Sequence, residues 1–168
     1  GVANTRTLIS QPNVLAMIGP YNSNVGKAEI PVTNAAGLAQ ISPATTTDSL
    51  TKGPDGAALR RTNPDVIAFF RVCAMNSEQG LIGAQLATSQ GWKTAYVVDD
   101  NETYGLDMGA AFSKYFTKDG GKIVGSDHLE KNSQDYKSRL RKSGAAKPDV
   151  LFYGGVSSTG GGLLRKQM

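Results

Sequence analysis

The chain contains 168 residues with a formal net charge of +4 and a single cysteine. This length allows one ordinary domain or two small ones, and no apolar run is long enough to cross a membrane. One cysteine excludes an internal disulfide and a cysteine-based zinc site, and Cys73, within an apolar run, is expected to be a buried, inert thiol. The 20 glycines and the 7% of aromatic residues are typical of an α/β protein with many tight strand–helix turns.

Lysine and arginine are dispersed along the chain, and their densest group lies at helical spacing within residues 137–147. Few aromatic side chains are interleaved with these basic residues, so no platform for stacking bases is indicated. A solvent-exposed helix face explains the group better than a nucleic-acid site does. We therefore expect no nucleic-acid partner.

In chain order, the first part of the sequence predicts helices and short strands in alternation. The predicted elements are a helix tail at 3–10, a buried strand at Val14–Ile18, a helix capped by Ser23 or Asn24 and ended by Gly37, a strand at Leu38–Ile41 and a loop at Thr45–Ala58. Strand and helix then continue to alternate in the second part.

The second part predicts three helices between strands and a fourth at the end. They are a strand at Ala68–Ala74, a helix at Glu78–Ser89 with Ile82 and Leu86 on one face, a strand at Thr94–Val98, a helix at Gly105–Lys118 carrying Phe112 and Phe116, a strand from Lys122 to Val124 or on to Leu129, a helix at Asp135–Ser143 capped by Asn132 or Ser133, a strand at Val150–Tyr153 and a final helix capped by Ser157 or Ser158. This alternation predicts a mostly parallel sheet with right-handed crossovers.

Two apolar runs, at 15–18 and 38–41, end in small residues that bear hydroxyl and amide groups. Parallel strands present such groups at one edge of the sheet, so we expect Ser23 and Thr46 to converge on one small polar ligand. Ser23 also lies at a predicted helix N-terminus, where unpaired amides favour an anion such as a carboxylate. Taken alone, each residue is better explained as a helix cap or a turn residue, and the ligand-binding interpretation depends on finding both at consecutive strand ends.

Two further segments offer an alternative from another functional class. Asp99 and Asp100 form an acidic turn after a predicted strand and could hold Mg²⁺ in a phosphoryl-transfer domain, although no lysine ends a later strand. Gly154–Gly162 has the outer spacing of a phosphate loop but lacks its lysine. We prefer to interpret the acidic turn as a crevice edge at which Tyr104 covers a ligand.

Catalytic groups are scarce in this sequence. His128 is the only histidine, and we expect it at the surface rather than as a general base. No Gly-x-Ser-x-Gly nucleophile motif is present. The sequence therefore favours binding over catalysis, with no cofactor and no metal.

Six motifs in the chain occur together in a known order. They are Ile18-Gly-Pro-Tyr-Asn-Ser, Gln40-Ile-Ser-Pro-Ala-Thr-Thr, Phe70-Arg-Val, Asp99-Asp-Asn-Glu-Thr-Tyr-Gly, Asp135-Tyr and Asp149-Val-Leu-Phe-Tyr-Gly-Gly. In order and approximate spacing they resemble the periplasmic branched-chain amino-acid-binding proteins, the type I substrate-binding proteins of ABC transporters of the Leu/Ile/Val-binding kind. The resemblance covers nearly the whole chain.

The resemblance implies the type I periplasmic-binding-protein fold, with two doubly wound parallel-sheet α/β lobes that close on a ligand like a hinge. Family members are considerably longer, and this chain starts and stops within predicted helices, so we expect a fragment in which both lobes are incomplete. Residues 1–73 would be the later part of lobe one and residues 74–168 the first part of lobe two, with a crossover near 71–77.

The resemblance also implies roles for residues of lobe one. Ser23 would hold the ligand carboxylate through its hydroxyl, and Thr46 would hold it through its amide and hydroxyl. Ala44 would offer its carbonyl to the ligand ammonium. Tyr21 and Thr45, next to these positions, complete the candidate set in this lobe.

In lobe two, Tyr104 corresponds to a tyrosine that packs over the bound amino acid. Val156 takes a ligand-facing position that is often aromatic in the family, which leaves the preferred ligand side chain open. The acidic partner of the ammonium would lie beyond Met168. We therefore expect this chain to bind amino acids weakly or not at all.

These observations predict an extracytoplasmic solute-binding protein that captures a small amino acid, branched-chain or aliphatic, for an ABC transporter. Its partners would be that amino acid and the transporter permease, and its location periplasmic or extracellular, with lipid anchoring of the full-length protein left open. Within the family, an amide, a urea-like compound or an aromatic acid is the alternative ligand. The alternative from another class is the phosphoryl-accepting or nucleotide-binding domain.

Overall fold

Two three-stranded parallel sheets organise the chain, which the computed structural model describes over residues 1–130 and 132–168. The sheets belong to two units, Gly1–Met75 and Asn76–Met168. Strands and helices alternate in each unit, so the predicted α/β class and the predicted parallel pairing are confirmed.

The first unit places a central strand between two others, in the order β1-β2-β3. Its elements are α1 (Val2–Ile9), β1 (Ala16–Ile18), α2 (Ser23–Ala36), β2 (Ala39–Ser42), a 3₁₀ turn (Asp48–Leu50), α3 (Gly53–Ala58) and β3 (Phe69–Arg71). Ile30 of α2 packs with Leu50 and Phe69 in the core of this unit. Gly37 ends α2 with a φ of 66°, the left-handed conformation that the sequence predicts.

The prediction of a buried strand at Val14–Ile18 is wrong. Strand β1 covers only Ala16–Ile18, and the side chains of Leu15 and Ile18 are 86% and 76% exposed. Strand β1 is an edge strand, and Ile18 pairs with Ile41 on the sheet face opposite the buried Phe69. Apolar content alone therefore identified the strand but not its exposure.

The predicted loop at Thr45–Ala58 is also wrong in part, because it contains the 3₁₀ turn and α3. Pro54 in the first turn of α3 supplies a fixed helical φ, and Asp55 suits the positive end of the helix dipole. These local start signals act without any apolar periodicity. Thr45 to Thr47 remain outside helices and strands.

The second unit has the strand order β5-β4-β6, with β4 at its centre. Its elements are α4 (Asn76–Ser89), β4 (Thr94–Asp99), α5 (Thr103–Lys118), β5 (Lys122–His128), α6 (Lys137–Ala145), β6 (Val150–Gly154), a 3₁₀ turn (Ser157–Thr159) and α7 (Gly161–Gln167). The chain passes from β4 to β5 at one edge of the sheet and then crosses to β6 at the other edge, so this unit is doubly wound.

Helices cover both faces of β4. On one face, Val97 packs in a cluster with Phe112 and Phe116 of α5, and the Phe112 ring stacks on Phe152 with centroids 3.9 Å apart. On the other face, Val98 packs in a second cluster with residues of α6 and α7 and their flanks. The predicted roles of both phenylalanines of α5 are therefore confirmed.

The predicted apolar face of α4 is wrong. Ile82 and Leu86 are 63% and 59% exposed, whereas the small residues Gly80 and Ala84 are buried. A Cβ on Gly80 would lie 2.6 Å from the Cβ of Ala111 in α5. Close packing of two helix backbones therefore selects the small residues, not the large ones, for the buried face.

The predicted caps of the last two helices are wrong too. Helix α6 begins after Tyr136, and the Lys137 amide donates to the Oδ1 atom of Asp135, not to Asn132 or Ser133. Helix α7 begins after Gly160, whose φ of 121° suits a residue without a side chain. Ser157 and Ser158 lie in the preceding 3₁₀ turn. None of the helices that the structure describes is long and apolar enough to cross a membrane.

Candidate functional site

Ser23 begins α2, and its side chain is directed at a neighbouring loop. Asn22, not Ser23 or Asn24, is the N-cap residue, so the predicted capping role is wrong. Ser23 is 2% exposed, and its Oγ accepts a hydrogen bond of 3.4 Å from the Thr47 amide. The first turn of α2 therefore meets the loop after β2, as the sequence predicts for Ser23 and Thr46.

Two threonine hydroxyls in this loop are buried without a partner. Thr45 Oγ1 and Thr46 Oγ1 have no hydrogen-bond partner among the residues that the structure describes. The methyl group of Thr45 lies against Gly26 of α2, so this side chain packs toward the helix. A buried hydroxyl without a partner costs about 1–3 kcal/mol, which a ligand oxygen would offset.

Ser42, which the sequence analysis did not single out, orders the same loop. Its side chain is fully buried at the end of β2, and its Oγ donates to the Pro20 carbonyl at 2.7 Å. The same oxygen accepts from the amides of Ala44 at 3.2 Å and Thr45 at 2.9 Å. The Ser-Pro pair in the motif was the signal for this role, because serine hydroxyls often bond to backbone amides two or three residues on.

Arg71 is a second residue whose role was missed. It ends β3 and directs its guanidinium at the loop, where Nη1 donates to the carbonyls of Thr45 at 3.1 Å and Thr47 at 2.7 Å. Nη2 contacts the Thr51 hydroxyl. Nothing in the local sequence pattern predicts these contacts, because they join residues 20 or more positions apart.

Other predicted residues of the first unit differ in exposure. Tyr21 is 72% exposed, and Ala44 is half-buried. Cys73 is half-buried with its Sγ 3.7 Å from the Thr45 carbonyl, so the expectation of a buried thiol is wrong.

The second unit contains Tyr104 and Val156, and Asp100 connects the segments that carry them. Asp100 Oδ1 accepts from the Glu102 amide at the start of α5, and Oδ2 accepts from the Thr159 hydroxyl at 2.5 Å. Thr159 Oγ1 in turn accepts from the Val156 amide at 3.1 Å. Tyr104 is half-buried and Val156 is 36% exposed.

The acidic turn is occupied by local contacts. Asp99 Oδ1 accepts from the Asn101 amide at 2.8 Å and lies 2.7 Å from Nδ1 of His128, whose side chain is 57% exposed, in keeping with its expected surface position. The carboxylate of Asp100 accepts from the Glu102 amide and the Thr159 hydroxyl. Among the described residues, no group of three or more His, Cys, Asp and Glu side chains could hold a metal ion.

The basic helix α6 is partly neutralised by neighbouring carboxylates. Asp127 is bound by Arg139 at 2.7 Å and by Lys142 at 2.9 Å, and Arg139 also contacts Glu130 at 2.9 Å. Burial alone would raise the pKa of Asp127, but hydrogen bonds from Lys142 and the His128 amide and the charge of Arg139 outweigh it and lower that pKa. These pairs give the cationic side chains a structural role.

Comparison with known proteins identifies the family. The family model described as "Periplasmic binding protein" matches residues 1–166. The chain belongs to this family. An amino acid binding protein of Pseudomonas aeruginosa is 26% identical over 167 residues, which are 98% of this chain and 41% of that relative.

Solved solute-binding proteins share the fold of this periplasmic binding protein. The ABC transporter substrate-binding protein of Desulfitobacterium hafniense in complex with Leu is 23% identical, covers 99% of this chain and 46% of its own, and gives a TM-score of 0.77. A solute-binding protein of R. palustris in complex with benzoate is 21% identical, with 99% and 43% coverage and a TM-score of 0.82. The predicted type I fold is confirmed, and the chain spans less than half the length of these proteins.

Proposed function

We propose that this protein is an extracytoplasmic solute-binding protein that captures a small α-amino acid, aliphatic or branched-chain, without catalysing a reaction. Membership of the periplasmic binding protein family supports binding and a location outside the cytoplasm. The amino acid binding protein of Pseudomonas aeruginosa and the leucine-bound protein of Desulfitobacterium hafniense support an amino-acid ligand.

The observation that carries the proposal is the unpartnered Thr46 hydroxyl near the start of α2. Thr46 Oγ1 is buried, and the adjacent residue Thr47 contacts Ser23, the first residue of the helix. The first amides of a helix have no intrahelical acceptor and attract negative charge. In our proposal, a ligand carboxylate accepts hydrogen bonds from Thr46 and Ser23, and the Ala44 carbonyl accepts from the ligand ammonium.

We propose that two residues of the second unit also contact the ligand. Tyr104 would cover the ligand, and Val156 would contact its side chain. Valine at this position leaves more room than an aromatic residue and suits an apolar ligand side chain. Residues 1–73 and 74–168 would then be parts of lobe one and lobe two, and their closure on the ligand would favour transport.

The proposed role extends to transport. We propose that the bound amino acid is delivered to the permease of an ABC transporter, from the periplasm or from the outer face of the cell, with lipid anchoring as one way of retention there. An aromatic acid is the alternative ligand, because it also carries a carboxylate, and the solute-binding protein of R. palustris was solved in complex with benzoate. The ligand class is therefore open to direct test.

A thermal-shift panel on the 168-residue chain tests the proposal. Leucine, valine and benzoate are compared with leucinamide, which lacks the carboxylate, and with Mg²⁺ plus ADP. Because this chain is expected to bind weakly, each ligand is added at a concentration high enough for weak binding. We then expect the melting temperature to rise with leucine or valine and to stay unchanged with leucinamide, because any ligand that binds only the folded state stabilises it. A rise only with benzoate would assign an aromatic acid, and a rise only with Mg²⁺ or ADP would contradict the proposal.

A further inference from the structure

We infer that Arg71 is a positioning residue for carboxylate recognition. Its guanidinium contacts carbonyl oxygens of the loop that contains Thr46 and acts on the ligand site through that loop. This inference rests on the proposed function and gives Arg71 a role that neither the motif assignments nor the family match provides. Its basis is a set of contacts between the end of β3 and the loop that contains Thr46.

A single nitrogen of Arg71 bridges the two residues that flank Thr46. Nη1 donates to the carbonyls of Thr45 and Thr47 at 3.1 and 2.7 Å, and the second terminal nitrogen contacts the Thr51 hydroxyl. The planar guanidinium fork fixes these donors relative to each other. Arg71 therefore holds the backbone on both sides of Thr46 in one conformation.

Peptide geometry transmits this constraint to the Thr46 amide. The Thr45 carbonyl and the Thr46 N–H belong to the same planar trans peptide, so they point in opposite directions. Since the carbonyl faces the Arg71 guanidinium, the N–H faces away from it. That amide is the one proposed to donate to the ligand carboxylate.

The charge of Arg71 adds a second effect. A cation that accepts electron density from a carbonyl polarises the peptide and makes its N–H a stronger donor, as in other chains of hydrogen bonds. Cys73 Sγ lies 3.7 Å from the same Thr45 carbonyl and reinforces this polarisation weakly. The arrangement lets a positive charge favour a carboxylate without forming an ion pair with it.

The remaining contacts of the loop agree with this role. Ser42 Oγ accepts from the Ala44 and Thr45 amides, and Ser23 Oγ accepts from the Thr47 amide. Side-chain oxygens thus accept hydrogen bonds from the amides of the residues on either side of Thr46. Arg71 donates to the carbonyls of the same two residues. The hydroxyl of Thr46, like that of Thr45, stays buried without a partner among the described residues.

The test compares Arg71→Gln and Arg71→Lys with the control Arg61→Gln, which removes the same charge from an exposed site of the same unit. Dissociation constants for leucine and leucinamide are measured by NMR titration of the 168-residue chain, and circular dichroism checks the fold. We expect Arg71→Gln to weaken leucine binding about tenfold, because a hydrogen bond to a charged group contributes about that much.

The ratio of the two affinities separates positioning from general stability. We expect Arg71→Gln to reduce the preference for leucine over leucinamide by about tenfold, Arg71→Lys to retain part of it, and Arg61→Gln to leave it unchanged. An Arg71→Gln variant that is folded and keeps the wild-type preference for leucine over leucinamide would overturn the role of Arg71 and leave the proposed function intact. If the wild-type chain shows no preference for leucine over leucinamide, the proposed function fails and this inference fails with it.

Discussion

At the residue scale, two adjacent threonines of the same loop differ in what explains their burial. Thr45 and Thr46 both bury a hydroxyl that has no partner in the described part of the chain, but the Thr45 methyl lies against Gly26. Thr45 therefore packs within the unit, whereas Thr46 has a reason to keep its hydroxyl only if a ligand uses it. The two positions form a matched pair for mutagenesis.

We predict that Thr46→Val abolishes or weakens leucine binding at least about tenfold, whereas Thr45→Val leaves it nearly unchanged. Both variants should be as stable as the wild type or more stable by about 1 kcal/mol, because each replaces an unpartnered hydroxyl with a methyl group of similar size. Calorimetry or NMR titration measures the affinity, and urea unfolding measures the stability. Equal loss of binding in both variants would place the Thr45 hydroxyl in the site as well.

At this scale, some residues of the candidate site could be predicted from the sequence and others could not. Ser23 and Thr46 could be singled out because each follows an apolar run at a strand end, and the structure brings their segments together. The Ser-Pro pair was a usable signal for Ser42, whose contacts with the Ala44 and Thr45 amides are local. Arg71 could not be assigned its role, because its contacts form only when strands β2 and β3 pair and the chain between them folds back.

At the element scale, Asp127 connects β5 to α6 through Arg139 and Lys142. Because the pKa of Asp127 is lower in the folded protein than its ordinary value of 3.8, the unfolded chain takes up a proton first as the pH falls. The stability that this carboxylate contributes is therefore complete above about pH 4 and is lost as the pH falls through the lowered folded-state pKa.

We predict that Asp127→Asn is less stable than the wild type at pH 7 and that this difference shrinks below about pH 4, because the native carboxylate then becomes neutral too. Urea unfolding of both proteins at pH 7 and at pH 3 gives the comparison. Asp65→Asn, at an exposed carboxylate of the other unit, serves as the control. A stability difference that is the same at both pH values would contradict the ion-pair account.

The buried face of a helix was predictable where it follows from the helix's own pattern of apolar residues. Helix α5 buries Phe112 and Phe116, four residues apart, as an amphipathic helix should. Helix α4 buries Gly80 and Ala84 instead of its larger side chains, because the backbone of α5 approaches too closely for them. That choice depends on a partner helix, which a single-helix pattern does not contain.

At the scale of the whole molecule, the alternation of strands and helices was enough to predict parallel α/β pairing, whereas the division into two lobes came from the family resemblance. The six motifs then pointed to the periplasmic binding protein family, which the match over residues 1–166 establishes. Side-chain preference could not be predicted in the same way, because it would depend on Val156, a residue whose role in binding comes only from the family resemblance. The ligand itself must be found by measurement.

The central claim is that the loop at Thr45–Thr47 and the start of α2 bind a carboxylate. It is tested most directly by recording ¹H–¹⁵N spectra of the isotope-labelled chain during titration with leucine, at concentrations high enough for weak binding. Our account predicts saturable shifts of the amides of Ser23, Thr46 and Thr47, and no such shifts with leucinamide. Shifts confined to α6 or to the Asp99–Asp100 turn, or an unchanged spectrum, would contradict it.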